Sequence, residues 1–369
     1  MLLKNCTFYN ELFEKEFGDI RIENGRIAEI GIIDGDGVDM SGRLVLPGFV
    51  DIHIHGCGGG DFSDGTGEAF DKISAELARH GVTSFCGTTM TLPHERLKSI
   101  VSAADKHTFP KSKLVGINLE GPYIALGKKG AQNADYVRPC SISELDELLS
   151  LNEKIKLITV APEASDSEEF IKHASERLTV SVGHSEADES ECRKGIENGI
   201  SHATHLFNAM TPMTHRSAGI VGAALDSDIT CELICDGAHI CPTVLRNAFA
   251  ILGENRACVI SDSMRAAGLG EGEFELGGQT VYVHENGKTA VLEDGTIAAS
   301  ITNVFDEFKN LISYGVDFKA ALKACTINPA TVIGEQDNIG SIAVGKCADL
   351  LVLSEALELQ EVYVNGTLA

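Results

Sequence analysis

Apolar residues along this chain recur with two different periods, and the change of period divides it. Over residues 2–9, 18–23 and 26–33 they alternate with polar ones, and Asn24-Gly25 supplies a hairpin turn. The same alternation returns over 349–353 and 361–366. Alternation with period two is the pattern of a strand with one buried face. Residues 1–46 and 336–369 are therefore expected to form one small β-sandwich domain between them.

Over residues 47–335 the pattern switches to strand followed by helix, repeatedly. Residues 67–80 place Phe70, Ile73 and Leu77 on one helical face and stop at Gly81. Further helices are expected at 93–106, 143–151, 166–175, 186–198, 241–252, 302–313 and 318–325. Apolar runs at 50–54, 82–86, 114–119, 155–160, 178–182, 202–206, 229–235 and 257–261 make eight strands. Eight strands alternating with helices predict an α/β fold, a parallel (β/α)8 TIM-like barrel. Two connections, 121–138 and 265–298, are long enough to be lids or binding loops. The second carries a hairpin pattern, 280–284 and 289–292, about Asn286-Gly287.

The stretch Leu46-Pro47-Gly48-Phe49-Val50-Asp51-Ile52-His53-Ile54-His55-Gly56 opens the barrel. Strand alternation predicts Ile52 and Ile54 on one face and Asp51, His53 and His55 on the other. Pro47-Gly48 marks the entry turn and Gly56 with Gly58, Gly59 and Gly60 the exit, so the histidines fall at the strand's C-terminal end. A barrel gathers all such ends onto one face. The residues expected there are His53, His55, Glu120, His184, His202, His205, Asp236 with His239, and Asp262. Singly, each reads as a cap or a packed imidazole; together they read as a metal centre.

Imidazoles and a carboxylate at one mouth suit Zn²⁺ or another borderline divalent ion, which lowers the pKa of a coordinated water toward ~7 and polarises a carbonyl. Asp262 is then free to act as general base and acid, and the chemistry is hydrolysis of an amide or ester.

Composition restricts the partner. Against 30 basic residues stand 54 acidic ones, a net charge of −24, which excludes nucleic acid and anionic membrane as the main partner. An anionic substrate therefore needs a local clamp, and Asn208 with Arg216 after the sixth strand can supply one. The first residues lack the regions of a signal peptide and no stretch approaches ~20 uninterrupted apolar residues, so a cytoplasmic protein is expected. Eleven cysteines without paired C-x-x-C spacing point to neither a disulfide framework nor a zinc knuckle.

Seven segments, in order along nearly the whole chain, resemble the N-acetylglucosamine-6-phosphate deacetylases of the amidohydrolase superfamily. They are residues 47–56, Leu119-Glu120-Gly121-Pro122-Tyr123, Lys129-Gly130-Ala131, Gly183-His184-Ser185, His205-Leu206-Phe207-Asn208-Ala209-Met210, Asp236-Gly237-Ala238-His239 and Ser261-Asp262-Ser263. The pairing of the Leu-Glu-Gly-Pro and His-Leu-Phe-Asn-Ala-Met motifs is the specific part. His-x-His alone marks only the superfamily.

The resemblance implies a homodimeric, metal-dependent enzyme of amino sugar catabolism that converts N-acetylglucosamine 6-phosphate to glucosamine 6-phosphate and acetate. It implies Glu120, His184 and His205 as metal ligands. Asp262 matches the acid/base, taking a proton from the attacking water and delivering one to the leaving amine. Ala131, Asn208, Ala209, Arg216, His239 and the segment Ile297-Ala298-Ala299 match substrate contacts, with Arg216 serving a neighbouring subunit's phosphate. Many superfamily relatives bridge two metals with a carbamylated Lys, and Glu120 fits that vacancy here. His53 and His55 permit a second ion without requiring it.

Gln132 departs from the family, which usually places a His there near the reacting acetyl group. Gln can donate an N–H but cannot be cationic, and loss of one oxyanion donor elsewhere costs about 10²–10³ in rate. Three alternatives stay open: a deacetylase for a related sugar phosphate such as N-acetylgalactosamine 6-phosphate, a hydantoinase-like or dihydroorotase-like amidohydrolase, and a catalytically weakened sugar-phosphate-binding homologue.

Overall fold

In the computed structural model, which describes residues 1–284 and 287–369, eight parallel strands follow one another around a sheet in chain order. They are Phe49–Ile54, Val82–Thr89, Lys113–Glu120, Ile155–Val160, Thr179–Val182, Ile200–Ala203, Thr230–Leu233 and Ala257–Val259. These are the eight expected strands. Between the first and last, Asp262 N–H donates to His53 C=O at 2.9 Å and both His55 and Gly56 N–H donate to Ser263 C=O at 3.0 Å. Those bonds draw the curl together into an α/β barrel.

The helices form where the apolar spacing places them. Gly67–Arg79 buries Phe70, Ile73 and Leu77, and the Thr66 hydroxyl caps it by accepting from Ala69 N–H. Glu189–Asn198 starts later than expected, because Asp188 and Glu191 make a reciprocal capping box that fixes its first turn. Two helices escape a periodicity reading. Gly219–Leu225 is buried along its whole length and so has no polar face, and Ile327–Val332 carries Pro329. The predicted 202–206 and 257–261 strands end early, since the chain leaves the sheet in left-handed turns, with φ of 29° at His205 and 45° at Asp262, and the predicted 229–235 strand stops at Leu233.

The first strand corrects the expected alternation. Its register slips between Asp51 and Ile54, so Ile52 joins Val50, Ile234 and Ile260 in one cluster while Ile54 packs in another with Phe62 and Phe70. Asp51 is spent on the seam: its carboxylate accepts Oγ–H at 2.5 Å and N–H at 3.3 Å from Ser261, two residues beyond the eighth strand. A bulge re-aims side chains in this way where a sheet must bend.

The long connection after the eighth strand is a four-stranded antiparallel sheet, Gly272–Leu276, Gln279–Val283, Thr289–Val291 and Ile297–Ser300. Its two inner strands match the expected hairpin. Asn286, named for the turn, lies outside the described residues. The outer strands show no apolar run to read: Gly272–Leu276 is largely exposed with glutamates at 273 and 275, and Ile297–Ser300 has two alanines at its centre. Gln279 donates its side-chain N–H to Ala131 C=O, tying this sheet to the connection after the third barrel strand.

At the far end the two termini share one sheet. Leu44–Pro47 pairs with Leu2–Tyr9 on one side and Leu350–Leu353 on the other. Leu3, Phe8, Ile20, Val45, Leu350 and Val352 fill its core. Asp19 anchors the edge, accepting from Lys4 Nζ at 2.8 Å and from the N–H groups of Asn5 and Ile33 at 2.9 Å each. Burial opposes its ionisation, but those donors hold its carboxyl at about 2. A lowered carboxyl pKa contributes stability that is present above its unfolded value near 4 and is lost as pH falls through about 2. Asp19→Asn is expected to lower the thermal midpoint at pH 7, and the deficit should shrink as pH falls from 4 to 2. Midpoints followed by circular dichroism across that range check it; a pH-independent deficit would contradict it.

Candidate active site

Five of the strand ends bring titratable groups to one cleft of about 570 Å³. Glu120 ends the third strand; His184 and His205 stand two residues beyond the fifth and sixth; His53 and His55 close the first; Asp262 follows the eighth. His184, His205 and Asp262 all have positive φ, at 47°, 29° and 45°. Non-glycine residues rarely adopt this region, and strain of order 1–3 kcal/mol per residue collects where side chains must be aimed.

The geometry centres on the Glu120 carboxylate. Its Oε1 lies 3.0 Å from both His184 Nε2 and His205 Nε2, and the two nitrogens lie 3.1 Å from each other. Its Oε2 lies 3.2 Å from His55 Nε2, and His53 Nε2 stands 3.5 Å from Oε1. Asp262 Oδ1 faces the same two histidines at 3.5 and 3.4 Å. Burial works against ionisation of both carboxyls, but His184 and His53 hold Glu120 well below the usual carboxylate range, and His53 and His55 lower Asp262. Both act as carboxylates at neutral pH.

These residues fit a divalent ion. Two imidazole Nε2 atoms stand 3.1 Å apart beside a carboxylate oxygen, a spacing at which all three can ligate one cation. His184 Nδ1 donates to Lys128 C=O at 2.8 Å, so its neutral ring presents Nε2 as a ligand. His53 Nε2 is buried with no hydrogen-bond partner among the described residues, and it too points at this space. Two triads meet the spacing that a metal requires, Glu120/His184/His205 and His53/His55/Glu120, sharing the one carboxylate.

Around this centre the cleft is lined by Ala131, Gln132, Asn208, Ala209, His239, Ile297 and Ala298 of the residues expected to touch substrate. His239 is aimed by Asp236, whose Oδ2 accepts from Nδ1 at 2.7 Å. Gln132 reaches the cleft, but its amide N–H donates to Glu120 Oε2 at 2.5 Å and its carbonyl accepts from Thr91 N–H at 2.6 Å. Its carboxamide orients the shared carboxylate. Two expected contacts lie elsewhere. Ala299 packs beneath the lid with Leu276, Val281 and Ala290, because it lies on the inner face of that sheet. Arg216 is exposed on the loop after the sixth strand, beside Arg193 and Lys194, and does not line this chain's cleft.

The sequence reading missed Glu232, which lies behind the histidines and is fully buried. The signal was present: it is the one charged residue in the apolar run 229–235. His202, expected at the mouth, instead donates or accepts through Nδ1 to Thr230 Oγ1 at 2.6 Å and meets Glu232 through Nε2 at 3.2 Å. Lys129, from the Lys129-Gly130-Ala131 segment, lines the cleft as well, together with Lys128 and Asp294, which were not singled out.

The centre predicts a response to metal removal. An ion that binds only the folded state stabilises it by an amount growing with the logarithm of its concentration, about 4 kcal/mol at a thousandfold excess over Kd. Chelator treatment should lower the thermal midpoint, and added Zn²⁺ should raise it again. A midpoint indifferent to both would contradict the assignment.

Comparison with known proteins agrees with the geometry. The amidohydrolase family matches residues 44–369. The N-acetylglucosamine-6-phosphate deacetylase of Bacillus subtilis is 36% identical over 336 residues, covering 88% of this chain and 84% of that protein. The N-acetylgalactosamine-6-phosphate deacetylase of Escherichia coli is 32% identical over 95% of this chain and 94% of its own length. The crystal structure of the Pasteurella multocida N-acetylglucosamine-6-phosphate deacetylase superposes with a TM-score of 0.93 at 30% identity, covering 100% of this chain and 99% of that one. The chain belongs to the amidohydrolase family.

Proposed function

We propose that this protein hydrolyses the acetamide of N-acetylglucosamine 6-phosphate, giving glucosamine 6-phosphate and acetate. The observation that carries this reading is the convergence of the Glu120/His184/His205 triad with the Asp262 carboxylate in one cleft. The relatives' names supply the substrate class.

A divalent ion held by Glu120, His184 and His205, with His53 and His55 serving a second, supplies Lewis acidity at the amide carbonyl. Zn²⁺ suits this set of imidazole and carboxylate donors, and Fe²⁺, Co²⁺ or Mn²⁺ are accommodated by the same donors. Asp262 takes a proton from the attacking water, whose oxygen bonds to the acetyl carbon. When the C–N bond breaks, Asp262 returns a proton to the departing amine, so the proton count closes. Asn208, Ala209 and His239 hold the sugar phosphate, with Lys128 and Lys129 as the nearby cations in an otherwise acidic protein. Gln132 keeps Glu120 in place, so its replacement of the family histidine leaves a functioning centre.

Purified, metal-loaded protein should release acetate from N-acetylglucosamine 6-phosphate. Asp262→Asn should lower kcat by about 10²–10⁴ with little change in KM, since it removes a proton carrier. Equal rates in the two proteins would sink the reading. The Escherichia coli relative named for the galacto epimer favours a second substrate, and kcat/KM on the two epimers decides between them.

The exposed Arg216 is assigned to the phosphate bound by a second copy of the chain, which makes the enzyme a homodimer. Arg216→Ala should raise KM roughly tenfold or more while leaving kcat near its original value, as expected for loss of a charge-assisted bond worth about 1.5–3 kcal/mol. Light scattering that gives a monomer at assay concentration would refute this part.

A further inference from the structure

We infer that Glu232 is the positioning residue that makes His53 a metal ligand and fixes the two triads in one frame. The inference rests on the metal centre proposed above and goes beyond its ligands. Glu232 sits on the seventh strand, Thr230–Leu233, which contributes no ligand to either triad. It is 0% exposed, and its two oxygens meet three donors from two other strands. Oε2 faces His53 Nδ1 at 3.0 Å and accepts from His205 N–H at 2.9 Å; Oε1 faces His202 Nε2 at 3.2 Å.

A carboxylate can only accept. His53 must therefore carry a proton on Nδ1, so the only nitrogen its neutral ring can offer an ion is Nε2, which stands 3.5 Å from both Glu120 Oε1 and Asp262 Oδ1. Glu232 Oε2 also holds the backbone of His205 in its left-handed turn. One side chain thus sets the ring of a ligand in one triad and the backbone of a ligand in the other. His55 has no such anchor, because its Nδ1 is buried without a partner among the described residues.

Burying a lone carboxylate costs several kcal/mol, so an apolar residue would serve packing better at this position. Removing a carboxylate behind a metal-ligating imidazole typically weakens metal affinity 10–100-fold. The role predicts an asymmetric effect. In Glu232→Gln the amide oxygen can still accept from His53 and His205, while its NH₂ donates to His202 Nε2 once that ring moves its proton to Nδ1 and donates to Thr230 Oγ1, so the frame survives and only the charge behind His53 goes. In Glu232→Ala the anchor itself is lost.

The test is metal stoichiometry and affinity by equilibrium dialysis of chelator-stripped full-length protein against Co²⁺, read by elemental analysis and visible absorption. Wild type is expected to hold two ions per chain and His53→Ala one. Glu232→Ala is expected to hold one, with the absorption of the remaining ion like that of His53→Ala. Glu232→Gln is expected to keep two, the weaker one loosened 10–100-fold; it decides the matter alone should the alanine variant not fold. Two ions held by Glu232→Gln with wild-type affinity, or both loosened by one factor, would overturn the assignment of Glu232. A wild type that takes up no ion would instead overturn the metal centre, and this assignment with it.

Discussion

Glu120 is a carboxylate that the interior could not tolerate alone. It is 2% exposed, and burying an unpaired carboxylate costs far more than a small domain's net stability can absorb. Four imidazoles from three strands and one carboxamide surround it within 3.5 Å. Three of the eleven non-glycine residues with positive φ among the described residues stand at this centre. His184 and His205 reach Glu120 because the chain leaves the fifth and sixth strands in left-handed turns, and Asp262 reaches the same histidines by a third. A barrel of apolar strands supplies the rigid frame that keeps those turns in place.

Around the carboxylate the polar groups form layers. Gln132, Glu232 and the Lys128 carbonyl bond Glu120, His53 and His184 respectively, so three of the five candidate ligands are oriented by a group behind or beside them. Substrate-facing residues come from the loops, where chain geometry is freest. The lid sheet bonds to the connection after the third strand through Gln279, so two long insertions wall the cleft jointly. The seam between the first and last strands, held by Asp51 and Ser261, lies directly beneath His53 and Asp262, and closure of the barrel and placement of the acid/base are one event.

Much of this was legible along the chain. Eight apolar runs separated by helical periodicity are enough to name a parallel barrel, because parallel strands need long crossovers and both sheet faces must be covered. The strand-end bias toward His, Glu and Asp then located the cleft. The lid's outer strands and the helix Gly219–Leu225 were not legible. The former lack an apolar run, one being largely exposed with glutamates at 273 and 275 and the other having two alanines at its centre, and the latter is buried on all sides and has no period to detect. Glu232 was visible as a lone charge in an apolar run, but only the closed barrel shows that it meets His202 on the neighbouring strand, His205 just beyond it and His53 on the first.

By itself the sequence determined the fold class, the residues available at the strand ends and the family, since these depend on local periodicity and on short motifs. The tertiary structure decided what each of those residues faces. It broke the alternation at Asp51, committed Gln132 to Glu120, moved His202 behind the centre, buried Ala299 under the lid and turned Arg216 away from its own cleft. The physical reason is common to all five. A side chain's direction in a barrel depends on strand register, bulges and loop closure, and those are fixed by contacts between residues far apart in the chain.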